Sequence, residues 1–230
     1  MRVHLVVAVV SVLPMSCSCS PELASSTSAS GDAGAARGDA SRCFVRRDVV
    51  VNGSFSEGNS GFGTALAYSP ETIRPSATYT VSDDPLSVHD AFPSRADGWE
   101  DHTPGDDNLS LLINGAEDDA RSYVWSESVP AVQGVQYNFR AFVRALYPCP
   151  CGEISARVVT SDDHDAVLAS GVAATQLEEW RELSAVWTAT ETGMVDLVID
   201  NAETSYDGND FALDDVEFIA EMLPEGCDLI

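Results

Sequence analysis

The stretch YNFRAFVRA, residues 137–145, decides the fold. Tyr137, Phe139, Ala141, Val143 and Ala145 take every second position, and Asn138, Arg140 and Arg144 stand between them. Successive side chains of a strand point to opposite faces, so a period of two with one apolar face marks a half-buried antiparallel strand. The same pattern recurs outward from this stretch. Tyr123, Trp125 and Val129 alternate with Ser126 and Ser128. Ile154, Ala156 and Val158 place Arg157 outward. Leu183, Ala185 and Trp187 alternate with Glu182 and Ser184, and Val195, Leu197 and Ile199 with Asp196 and Asp200. Leu109 to Ile113 is a near-continuous apolar run closed by Asn114-Gly115, and Val49 and Val51 open a first strand stopped by Asn52-Gly53. Gly, Asn, Asp and Pro punctuate these runs. No segment holds a 3.6-residue period, and Gln176 to Glu182 allows one helical turn at most. Many short strands without crossover helices predict an all-β antiparallel sandwich or jelly roll.

The chain has 230 residues, with 12 Lys+Arg against 37 Asp+Glu, a formal net charge of −25. All the cations are Arg; there is no Lys. Such a surface repels phosphate backbones and anionic lipid, which excludes nucleic-acid binding and docking through a basic patch. Residues 1–42 carry three Arg and three acids, so the net charge resides entirely in residues 43–230.

Met1 to His4 precedes the apolar run Leu5 to Leu13, which has signal-peptide length and is too short to span a bilayer. Pro14-Met15-Ser16-Cys17 then resembles the lipobox of bacterial lipoproteins, although Pro14 stands where that family has Leu. The resemblance implies acylation at Cys17 and an exported, envelope-anchored protein; plain secretion is the alternative. Residues 18–42, rich in Ser, Ala and Gly, read as a flexible tether, and residues 43–230 as the sandwich domain. Export favours disulfides. Domain termini often lie together, so Cys43 at the opening is expected to pair with Cys227 near the end, leaving Cys149 and Cys151.

Several stretches together resemble the galactose-binding-like jelly rolls of bacterial carbohydrate-binding modules, in a subgroup of secreted surface proteins. They are VVNGSFSEGNSGF (50–62), SVHDAF (87–92), DHTPGDDNLSLLING (101–115), VWSESVPAVQGVQYNFRAFVRALYP (124–148), EEWRELSAVWTA (178–189) and GNDFALDDVEF (208–218). The resemblance implies non-catalytic glycan or extracellular-polymer binding at the cell surface. It also implies a structural Ca²⁺ held by Asn52, Glu57, Asp214 and Asp215, the hard oxygen set this ion requires. Here Glu57 is displaced by one residue from the family position. An edge-protecting role for Asp214-Asp215 is the plain alternative.

Sugars are gripped by flat aromatic faces and a few orienting polar groups. The candidates outside the alternating strands are Tyr68, Tyr79, Trp99 and Tyr147, with His89, Asp101 and His102 to orient hydroxyls. Trp99 folding back over the core edge, and His and Asp tying loops, are the plain alternatives. Trp125, Trp180 and Trp187 read as core. No nucleophile elbow, zinc-protease helix or phosphate loop occurs. A glycosidase needs only two carboxylates, and acids are everywhere in this chain; it is the resemblance to non-catalytic modules that implies a binding protein rather than an enzyme, with a small glycan-active enzyme as a third reading. The rival is a structural or adhesion lipoprotein that contacts a protein and has no sugar site. The acidity favours a neutral or cationic glycan over an anionic one.

Overall fold

The structure is a computed structural model of the whole chain, and it describes residues 45–103, 108–118, 123–148, 152–161, 165–170, 179–205 and 209–222. All of them belong to one unit, Asp39–Ile230. The expected lipidation at Cys17 and the expected bridge between Cys43 and Cys227 lie outside the described residues, as do Cys149, Cys151 and His164.

Among the described residues eleven strands form two sheets: β1 (Val45–Asp48), β2 (Ala67–Tyr68), β3 (Thr78–Ser82), β4 (Ser110–Asn114), β5 (Tyr123–Ala131), β6 (Gln136–Ala145), β7 (Ile154–Val159), β8 (Asp165–Ser170), β9 (Arg181–Thr188), β10 (Gly193–Asn201) and β11 (Phe211–Met222). The larger sheet runs β2-β3-β4-β11-β6-β9, with β1 also on β11. The smaller runs β5-β10-β7-β8. Every pairing is antiparallel except β2 with β3. The fold is the antiparallel jelly-roll sandwich that the period-two segments predict.

The core lies between the sheets. Trp125 comes from β5, Tyr137, Phe139 and Ala141 from β6, and Phe211, Leu213 and Phe218 from β11; all are at most 2% exposed. Tyr137, Trp187 and Phe218 stack there with ring centroids 4.8–6.0 Å apart. Side chains of this size supply most of the apolar area removed from water.

β11 organises the larger sheet. Its first residues, 211–213, pair with β4, and its last, 219–222, pair with β1 along the same edge. Between them the chain is bulged: Asp214 lies opposite Phe142 and Glu217 opposite Arg140, so three steps on β11 match two on β6. One residue is extra, as in a β-bulge, and Asp215 sits at φ +45°. The bulge is closed from the other side by Gly53, whose carbonyl accepts the Val216 N–H at 2.9 Å.

The first strand differs from expectation. Val49 to Val51 are not a strand; β1 is the preceding VRRD, held by its ladder to β11 rather than by an apolar face. Tyr79, read as a loop residue, lies in β3. Arg181 and Glu182 are strand, so the helical turn allowed there does not form across them.

Candidate functional site

The chain between β3 and β4 folds back over the outer face of the larger sheet. It carries a one-turn helix, α1 (Pro85–Val88), and a 3₁₀ turn at Arg95–Asp97. A second apolar cluster forms beneath it from Ile73, Val88, Phe92, Trp99, Leu112, Leu146 and Ala212, with Tyr147 and Trp180 packed on its side. Leu112 and Ala212 are the outward residues of β4 and β11, whose neighbours face the main core. The excursion therefore buries part of a face that a two-layer sandwich leaves wet.

Trp99 is the keystone of this cover. It is 2% exposed. The Arg144 guanidinium lies 4.3 Å from its ring centre, and Trp180 packs at 5.8 Å. The Glu100 carbonyl accepts from both Arg144 Nη1 and Trp180 Nε1 at 3.2 Å. Trp99 thus holds the loop down and is no exposed platform in this conformation. Its Nε1 is buried and finds no acceptor among the described residues.

The loop continues into the bulge. Asp214, fully buried, accepts the His102 N–H at 2.8 Å and the Thr103 N–H at 3.3 Å on Oδ2, and the Asp215 N–H at 2.8 Å on Oδ1. Burial is the main cause that raises its pKa from 3.8 to about 7; the His102 N–H opposes this, and the Asp215 and Asp101 charges add to it. Asp215 accepts from Thr103 Oγ1 at 2.7 Å and lies 2.7 Å from His102 Nδ1. A carboxylate at this distance holds Nδ1 as the donor, which fixes the ring and leaves Nε2 for another partner.

The His102 ring lies flat on Phe142, centroids 3.4 Å apart and planes 14° from parallel, with Trp180 edge-on at 5.9 Å. Phe142 points outward from β6, between Asp214 of β11 and Glu182 of β9. Along the same outward row stand Arg140, between Glu217 and Ser184, and Asn138, between Ile219 and Val186. The His102 side chain is 30% exposed, and Phe142 and Trp180 are half-buried. The result is a small aromatic shelf with donors and acceptors along one side.

The structure thus gathers five of the seven expected sugar-binding residues on one covered face: Trp99, Asp101, His102, His89 and Tyr147. Asp101 is half-buried and acts on Asp214 through its charge. His89 stacks on Phe92 at 4.2 Å, and burial lowers its pKa. Tyr147 is half-buried against the cluster. The other two lie elsewhere. Tyr79 is 7% exposed in the main core, its hydroxyl donating to Asn59 Oδ1 at 3.0 Å, and Tyr68, 47% exposed, packs against it. Phe142 and Arg140 were not among the expected site residues, and Trp180, read as core, belongs to the shelf.

The expected calcium quartet is gathered in part. Asn52 Nδ2 donates to the carbonyls of Gly58 and Ser60, and its Oδ1 accepts the Glu57 N–H at 2.8 Å. These bonds close the first turn upon itself. Asn52, Glu57 and Asp215 do line one acidic cleft of about 270 Å³ with Asp48 and Glu217, but Asp214 faces the loop instead. Among the described residues no three His, Cys, Asp or Glu side chains are placed to hold a metal ion.

Fold and site together define a jelly-roll sandwich with a partly covered outer face. No protein-family model matches the chain, and no curated protein does. Solved structures resemble it. A tandem CBM22-1–CBM22-2 domain from Paenibacillus barcinonensis Xyn10C is 13% identical, with a TM-score of 0.48, over 79% of this chain and 48% of that one. A family 16 carbohydrate-binding module is 14% identical, with a TM-score of 0.43, over 74% and 98%. A CBM61 module solved with β-1,4-galactotriose is 13% identical, with a TM-score of 0.42, over 77% and 99%. This chain spans about half the length of the first of these.

Proposed function

We propose that the domain binds a glycan without transforming it, on the shelf formed by His102, Phe142 and Trp180. The observation that carries this is the His102 ring, stacked on Phe142 and locked by Asp215. A ring fixed in this way offers a flat surface with little ordering cost on binding, which is what a sugar face requires. Glu182, Ser184 and Arg140 beside it supply hydroxyl partners on the same face.

The test is a glycan panel that includes xylan and β-1,4-galactan, read by affinity electrophoresis and calorimetry. His102→Ala and Trp180→Ala are each expected to weaken binding about tenfold, in the range of one lost aromatic contact. Tyr68→Ala is expected to change nothing. A protein that binds no member of the panel, or whose affinity survives both shelf substitutions, sinks the proposal.

A further inference from the structure

We infer that the same face carries a subsite for the carboxylate of a uronic acid residue, built by Arg46 and Arg140. The inference rests on the glycan reading and names the substrate class within it. A groove of about 220 Å³ opens beside the shelf, lined by Arg46, Asn138, Arg140 and Ile219. Arg140 is two residues from Phe142 on β6, so both project from one face, and its guanidinium stands 5.8 Å from the Phe142 ring. Ile219 and Asn138 are cross-strand partners and make the floor.

In a chain of net charge −25, two guanidinium groups on one groove are an exception. Both have donors to spare. Arg46 uses Nη2 on Glu221 Oε1 at 2.9 Å. Arg140 uses Nε and Nη2, both on Glu217 Oε2, at 3.1 and 2.8 Å. A guanidinium carries five N–H groups in a planar fork suited to a carboxylate. The Arg46 and Arg140 side chains are 73% and 47% exposed, so these donors meet the groove and not the core. Asn138 adds an amide between them. A uronate residue with its ring on the apolar floor would meet donors on both sides.

The net charge argues the other way, and distance decides between the two. Charges farther away than about 8 Å are largely screened at physiological salt, whereas a direct guanidinium contact is not. Glu221 and Glu217 each neutralise one guanidinium, at 2.9 and 2.8 Å, so the preference rests on the N–H groups these pairs leave unused, and the distant acidity sets only the encounter rate.

The test compares uronate polymers with forms that keep the backbone and lose the charge: polygalacturonate against its full methyl ester, beside neutral xylan and galactan. The free acid is expected to bind about tenfold more tightly than the ester. Arg46→Gln combined with Arg140→Gln should abolish that difference, so that the double variant binds acid and ester alike. Exposed ion pairs contribute little to stability, so the double variant is expected to fold, checked by its melting curve. If acid and ester bind alike, or the double variant keeps the preference, the subsite is wrong and the glycan reading stands. If no glycan binds at all, both fall.

Discussion

Asp214 is expected to make the fold more stable in mild acid than in mild base. Its carboxyl is buried under the loop, next to Asp215 and facing Asp101, His102 and Thr103, and its pKa is raised from 3.8 to about 7. An acid raised on folding binds its proton more firmly in the folded chain. Its stabilising contribution is therefore complete below the unfolded value and is lost as the pH rises through the folded one. A shift of three units corresponds to about 4 kcal/mol in full, at 1.36 kcal/mol per unit. Between about pH 8 and about pH 5.5 only half of that range is crossed, so about 2 kcal/mol is gained, or about 4–8 °C in Tm. Glu127, which accepts the Val51 N–H on both oxygens and is also raised to about 7 by burial, adds in the same direction. The assay must separate the two. Urea unfolding of the wild type and of Asp214→Asn at both pH values does so, because Glu127 cancels in the difference. The variant itself loses about 1–3 kcal/mol, since an amide cannot accept backbone N–H groups on both of its arms. Its stability should nonetheless depend less on pH than the wild type's by about 2 kcal/mol. Equal pH slopes for the two proteins would refute the reasoning.

Two further outcomes test the framework around the site. Gly53→Ala puts a methyl 1.9 Å from the Val216 carbonyl oxygen, where the first turn closes the bulge; it should lower Tm by at least about 4 °C, against no change for Gly193→Ala, whose surroundings are open. The second concerns the ends of the domain. Val45 pairs with Met222, so Cys43 and Cys227 lie a few residues beyond paired positions. A Cys43–Cys227 bridge is expected in protein made under oxidising conditions, seen as a linked peptide under non-reducing digestion, and Cys227→Ser should cost about 2–5 kcal/mol. Free thiol at Cys43 in oxidised protein would remove the bridge.

What the sequence makes legible depends on how each strand is covered. β7, β9 and the first part of β6, Gln136 to Ala141, show clean alternation because one face is core and the other meets water. β3 and β4 do not. Thr78, Tyr79 and Thr80 are all buried, as is every residue of β4, because the excursion lies on the face that would otherwise be wet. A strand buried on both sides loses its period of two, and Tyr79 then reads as loop. β8 fails for the opposite reason: Val167 is 67% exposed, so its outward row is not polar. β1 has no apolar pattern at all and exists through its ladder to β11.

The site was hidden by the same geometry. Asp214-Asp215 is conspicuous in the sequence, and two adjacent carboxylates on a strand ought to point to opposite faces. The bulge breaks that rule. With one residue added on β11, Asp214 and Asp215 both reach the segment His102–Thr103, one through backbone N–H groups and one through side chains. The acidic pair thereby clamps a loop. The clamp in turn lays His102 on Phe142, a residue whose outward direction is readable from its strand but whose partner is 40 residues away. Strand faces can be read locally; the register error that brings two acids to one loop is created by pairing with β6 and Gly53, and only the folded sheet contains it.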